Sequence, residues 1–303
     1  MKWPKYDQLR KQLETKLTAH SNNKRSLIGI QDPKAREVLA MQIVASTRRE
    51  DYYQLIQLRL IAAYRADPNH PSFDAERAVA FHMKNGDIDE AGWLIFLMTH
   101  FGRHATSGWL RLRDVYGRLG EGCWRWTDVS SDPSAFADWM ALNWQKIRGN
   151  FSNHRKYESM RPDAQRSVGK AVADYINWIG MQGHAHFLSD ATSRSGNDLF
   201  DTLYKEMKVC SFGRLAKFDY LMLLSRYNLA SLTPNSAYLS GATGPRAGVS
   251  LLFTGSTTSL ESPNNLQKML DELDENLVVG MEVLEDALCN WQKSPLEFEH
   301  FKG

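Results

Sequence analysis

The sequence predicts an all-α protein, a multi-helix bundle, on three observations. Apolar residues recur at helical spacing along most of the chain, and alternating apolar and polar runs bounded by turn pairs are nearly absent. A hydrophobic content of 43% over 303 residues is also enough to fill one large core or two moderate ones. Lys plus Arg total 37 against 35 acidic residues, so the net charge is +2 and no global field recruits nucleic acid. Any grip on a polyanion must come from local placement. Cys123, Cys210 and Cys289 are dispersed and odd in number, which fits neither a disulfide framework nor a zinc knuckle and points to a reducing cytoplasm. The charged, amphipathic opening MKWPKYDQLRKQLETKL has no apolar signal core, and no later run of about eighteen apolar residues follows. Neither secretion nor membrane spanning is expected.

Taken in order, the periodicity predicts helices over 33–66, 73–84, 88–102, 106–119, 133–148, 161–181, 195–208, 211–227, 263–274 and 276–293. DIDEAGWLIFLMTHF, in the third of these, is apolar almost all round, as expected of a helix at the centre of a bundle. It is expected to organise an N-terminal lobe, 1–160, interleaved with a second lobe, 161–303, in a single fold without internal repeats or low-complexity linkers. GEGCWRWTDVSSDPSA reads as a loop whose Trp124 and Trp126 fill the core. FSNHRKYESM at 151–160 brings His154, Arg155, Lys156 and Tyr157 together, which can hold a phosphate and stack on a base or simply form a solvated loop.

After 211–227 comes YNLASLTPNSAYLSGATGPRAGVSLLFTG. Leu239, Gly241, Gly244, Ala247 and Gly248 approximate the helix-hairpin-helix turn, Leu-x-Gly-x-Gly with a small residue following, with one extra residue between the glycines. Such glycines let the backbone take positive φ and approach closely. The next helix then offers free N–H groups and its positive dipole end to a phosphate, with Arg246 adding charge. Pro245 suits the first turn of a helix starting near Gly244. A structural turn with no ligand has the same pattern.

In the last helix, Leu277, Met281, Leu284, Leu288 and Trp291 form the core face. The opposite side gathers Glu282, Asp286, Cys289, Asn290 and Lys293, either a solvated face or a site. Asp219 projects onto an apolar arc made by Phe212, Leu215, Met222 and Leu223, so its carboxylate is expected to be desolvated, as a structural acceptor or a general base. His100 with His104, and His184 with His186, have ligand-like spacing but no HExxH or cysteine pair beside them, so no metal is expected. No Gly-x-Ser-x-Gly elbow, P-loop or dinucleotide fingerprint occurs, and no cofactor is expected.

Six stretches, DEAGWLIFLMTHFGRH, GWLRLRDVYG, FSNHRKYESM, FGRLAKFDYL, PNSAYLSGATGPRAGVSLLF and VGMEVLEDALCNWQKSP, together resemble the alpha-glutamyl/putrescinyl thymine pyrophosphorylase family from about residue 88 to 297. The resemblance implies a helix-hairpin-helix DNA glycosylase-like lobe and action on modified bases in double-stranded phage DNA. It comes in two versions. One joins amino acids or polyamines to an activated hydroxymethyl-pyrimidine with loss of pyrophosphate. The other is an antiphage glycosylase that excises glucosylated hydroxymethylcytosine and leaves abasic sites. The second is favoured because the chain carries no adjoining kinase domain, and monofunctional excision is expected. A non-enzymatic DNA-binding module is the remaining alternative.

By that resemblance Asp286, in the signature EDALCNWQK, is the first candidate for the catalytic carboxylate. Asp219 is second. Glu261 is third, at the position relative to Gly244 where helix-hairpin-helix glycosylases carry a catalytic aspartate. Asn290, Tyr157 and His154 are the expected base contacts. Gly241, Thr243, Gly244, Arg246, Gly248, Arg155, Lys156, Arg214, Lys217 and Lys293 are the expected DNA contacts.

Overall fold

A computed structural model describes residues 3–301, and among these the regular structure is helical, with no strand. Fourteen α-helices occur among the described residues: α1 Asp7–Asn23, α2 Pro33–Leu58, α3 Ala75–Lys84, α4 Ile88–Phe101, α5 Leu110–Tyr116, α6 Trp126–Ser131, α7 Pro133–Asn143, α8 Val168–Ile179, α9 Gly183–Ser195, α10 Leu199–Glu206, α11 Arg214–Arg226, α12 Gly244–Thr254, α13 Pro263–Leu277 and α14 Met281–Trp291. None is long and apolar enough to cross a membrane.

Several starts follow from local chemistry. Asp74, Asp87, Asp132, Ser167 and Ser262 each precede a helix and accept a hydrogen bond from a backbone N–H of its first turn, and Pro133 and Pro263 occupy positions whose missing N–H costs nothing. The helix expected over 33–66 stops at Leu58, and Ala62 has extended backbone. Helices α1, α6 and α9 were not among the expected spans; the last two are short or mix polar residues through every face.

The chain forms two compact units, and their division does not fall at residue 160. Among the described residues, one unit takes 3–52 together with 234–301; the other is Tyr53–Thr233. The reason lies in the first forty-odd residues. Leu13 and Leu17 on α1, and Val38, Leu39 and Ile43 on α2, are fully buried in one core with Val249 and Leu252 of α12, Leu266 and Leu270 of α13, and Leu284, Leu288 and Trp291 of α14. Both ends of the sequence thus complete one core.

The second unit is organised by α4, where every residue from Glu90 to Phe101 is buried. Its aromatic side chains stack with one another and with neighbouring segments: Trp93 on Phe96 at 5.5 Å within α4, Phe96 on Tyr175 of α8 at 4.0 Å, and Phe96 on Phe212, just before α11, at 5.2 Å between ring centroids. Trp124 and Trp126 are core residues as expected, and the Trp93 indole donates to the Trp124 carbonyl oxygen at 2.8 Å. One carboxyl of α4 lies inside this core. Glu90 accepts from the Tyr116 hydroxyl and from Trp126 N, and burial pushes its pKa up to about 7.

Candidate functional site

Three of the five residues expected on the polar side of α14, Asp286, Asn290 and Lys293, meet as a connected chain. The Asp286 carboxylate accepts from Asn290 Nδ2 at 3.0 Å, and Lys293 Nζ donates to Asn290 Oδ1 at 3.0 Å. This is the contact that residues one turn apart on a helix make. Two further donors come from α2: Ser46 Oγ donates to Asp286 Oδ2, and Arg49 Nη1 donates to Oδ1 at 2.6 Å. Three of roughly four acceptor positions on the carboxylate are therefore used, two on Oδ1 and one on Oδ2. The Asp286 side chain is only partly covered, with 29% of it exposed. The face is not simply a solvated one, because Asn290 is buried and Glu282 and Cys289 are half-buried. Lys293 is exposed and its ammonium lies 4.4 Å over the Phe301 ring.

Ser46 and Arg49 were not legible as site residues. With Gln42 they form an i, i+4, i+7 stripe on α2, but the acid that Ser46 and Arg49 meet lies more than two hundred residues away.

The glycine turn differs from the expected hairpin. Helix α11 ends at Arg226 and α12 begins at Gly244, as Pro245 predicts, but the stretch between is an irregular connection rather than a tight turn, and the two helices belong to different compact units. What requires glycine at 244 and 248 is α14. A Cβ on Gly244 would lie 2.5 Å from Cys289 Sγ, and one on Gly248 would collide with the Leu288 carbonyl oxygen. The pair, one turn apart, lets α12 lie directly on the helix that carries Asp286. Gly248 is buried, while Gly241, at φ +78°, and Thr243 are exposed and Arg246 is half-buried. Glu261 sits one residue before the α13 cap and accepts from Asn265 Nδ2 within its own helix start.

In the other unit, Asp219 departs from expectation. It is half-exposed, with 42% of its side chain accessible, and pairs with Arg155 Nη2 at 2.9 Å. The expected arc counted from Phe212, which precedes the helix; α11 starts at Arg214 and buries Ala216, Phe218 and Tyr220 through Leu224, which leaves Asp219 at the margin. Arg155 in turn is buried, its Nε donating to the Thr99 carbonyl at 2.6 Å at the C-terminal end of α4. That is a favourable place for a cation, and it removes Arg155 from the surface where a DNA contact was expected. His154, Lys156 and Tyr157 are exposed, with the Lys156 ammonium 5.1 Å from the Tyr157 ring. Arg214 packs over Phe218 at 5.3 Å, and Lys217 Nζ donates to the Tyr204 carbonyl at 3.2 Å.

The histidine pairs are taken up otherwise. His100 is enclosed by aromatic rings, and His104 Nδ1 accepts from Thr106 N and Ser107 N in a turn. His184 bonds to Asp89 through Nδ1 at 3.1 Å and to Tyr175 Oη through Nε2 at 2.5 Å.

Residues 34–303 match the family described as alpha-glutamyl/putrescinyl thymine pyrophosphorylase clade 3. No curated protein and no solved structure matches the chain. The family match includes α2, with Ser46 and Arg49, and α14, with Asp286, Asn290 and Lys293, so both walls of the polar cluster lie within it. On a match of this extent, the chain belongs to the alpha-glutamyl/putrescinyl thymine pyrophosphorylase family, in its clade 3.

Proposed function

We propose that this protein is a monofunctional DNA glycosylase that excises modified bases, glucosylated hydroxymethylcytosine foremost, from double-stranded phage DNA and leaves abasic sites as an antiviral act in the cytoplasm. Family membership supports chemistry at a modified pyrimidine. The single observation that carries the excision reading is the Asp286 carboxylate, oriented by Ser46, Arg49 and Asn290 and still partly exposed.

The target nucleotide must leave the helical stack before its C1′ can be reached. As the bond from C1′ to the base nitrogen breaks, the electron pair leaves with the base and positive charge grows on the deoxyribose. The Asp286 carboxylate faces that charge and accepts a proton from the water that attacks C1′. Because its three donors already fix the carboxylate, little reorganisation accompanies the reaction. Asn290, held between Asp286 and Lys293, positions the acid. Lys293, Arg246, Thr243 and Gly241 supply phosphate contacts in the first unit, and Lys156, Tyr157, His154, Arg214 and Lys217 supply contacts in the second.

Mass spectrometry of DNA carrying glucosylated hydroxymethylcytosine, after incubation with the purified protein, tests the reading. Free modified base together with alkali-labile abasic sites is expected. A heavier nucleoside and released pyrophosphate, formed when an amine and activated DNA are supplied, would establish group transfer instead. Binding with neither product would leave a DNA-binding module.

A further inference from the structure

Buried polar atoms in folded proteins are almost always hydrogen-bonded, so a buried side chain with no partner calls for a reason. His100, on the last turn of α4, is 1% exposed, and among the described residues neither Nδ1 nor Nε2 has a hydrogen-bond partner. Its ring lies nearly parallel to Phe96 and Phe212, at 17° and 8°, and perpendicular to Phe151 at 5.9 Å. Apolar surroundings and the nearby Arg155 guanidinium push its pKa down to about 3, so at neutral pH the imidazole offers one donor and one acceptor, both unspent.

Beside it stands a second incomplete group. Arg111, on α5, donates through Nη2 to the Gly149 carbonyl, while its buried Nε has no partner. Its guanidinium lies 4.6 Å over the Phe151 ring. Phe151 is only partly buried, stacks on Phe101 at 5.6 Å and 17°, and belongs to a non-helical segment that follows Gly149 at φ +72°. One aromatic ring is thus stacked on a second ring, covered by a guanidinium and perpendicular to an imidazole with free hydrogen-bonding capacity. Stacking, cation–π cover and a donor–acceptor pair are what a protein offers an unpaired nucleobase, yet a phenyl ring uses only the first two.

We propose that Phe151 is a placeholder in a nucleobase-binding site, and that an extrahelical base displaces it to lie on Phe101 beneath Arg111 with its polar edge on His100. The inference rests on the proposed function only for the source of the base, since Asp286 takes no part in it. Exchange of one flat ring for another preserves the stack and the guanidinium contact, and the base edge supplies the partners that the imidazole lacks.

Titration calorimetry on the full chain tests the site, with 2′-deoxycytidine 5′-monophosphate as probe and 2-deoxyribose 5-phosphate, which lacks the base, as control. The nucleotide is expected to bind and the sugar phosphate not to. His100→Phe, which keeps a ring and removes both nitrogens, is expected to raise the melting temperature yet weaken nucleotide binding at least tenfold, and His100→Gln to restore part of it. Phe151→Ala, an independent variant, is expected to bind several-fold tighter because nothing has to be displaced. Equal binding of the two probes, or nucleotide binding unchanged in both His100→Phe and Phe151→Ala, overturns the proposal. Base release by a protein with no such binding defeats this site and leaves the glycosylase reading standing; nucleotide binding by a protein that releases no base does the reverse.

Discussion

Asp286 in one unit and His100 in the other are both polar groups on helices that help build a core, and they differ in how their hydrogen bonds are spent. Asp286 accepts from three side chains, and the Asn290 that helps hold it is itself held by Lys293. His100 is more deeply buried and has no hydrogen-bond partner among the described residues. A group held by several donors cannot turn, so it can present one atom to a reaction at little further cost; a group left without partners destabilises the fold until something binds it. The first arrangement suits chemistry and the second suits recognition.

The comparison breaks most severely if the scaffold under Asp286 is disturbed. Gly248→Leu forces a side chain into the Leu288 carbonyl and should cost more than about 3 kcal/mol, read as loss of the cooperative urea transition or of soluble protein. Gly244→Ala meets only the Cys289 thiol, so its smaller cost should be relieved by adding Cys289→Ala.

Glu90 offers a contrast within the second unit, because it is as buried as His100 but fully partnered. Its folded-state pKa, about 7 against the ordinary 4.5, means that folding favours the protonated carboxyl. That contribution is complete below pH 4.5 and is lost as pH rises through 7. Glu90→Gln, which stays neutral, should therefore gain stability relative to the parent protein between pH 5 and pH 9, by up to about 3 kcal/mol in chemical denaturation. A constant difference across that range would show that Glu90 does not titrate there.

Arg49→Lys keeps a positive charge but loses the planar fork that reaches Asp286, and should slow excision about tenfold with little change in melting temperature. Asp219→Asn removes a half-exposed partner from Arg155, which keeps its bond to Thr99. It should cost about 1 kcal/mol of stability and leave excision within about threefold, which sharpens the distinction between an oriented acid and a merely paired one.

The parts of the structure legible in the sequence are those fixed locally. The starts of α4 at Ile88 and α13 at Pro263, the core face of α14 and the placement of Asp286 one turn before Asn290 all follow from local spacing. Arg49 was not legible because its pairing with Asp286 depends on α2 joining a core with the C-terminal helices. Gly244 and Gly248 show the same limit. A glycine pair one turn apart suits a phosphate or an opposing helix equally well, and only the position of Cys289 and Leu288 decides between them. Asp219 was misplaced because its face was counted from Phe212, which lies outside the helix, and Leu215, which is only half-buried.

The account stands most directly on Asp286. In single-turnover assays on DNA containing glucosylated hydroxymethylcytosine, with DNA affinity and circular dichroism measured in parallel, Asp286→Asn should remain folded and bind DNA while releasing base at least about 100-fold more slowly than the parent. Release within twofold of the parent by the folded variant would contradict the assignment of the chemistry to this carboxylate.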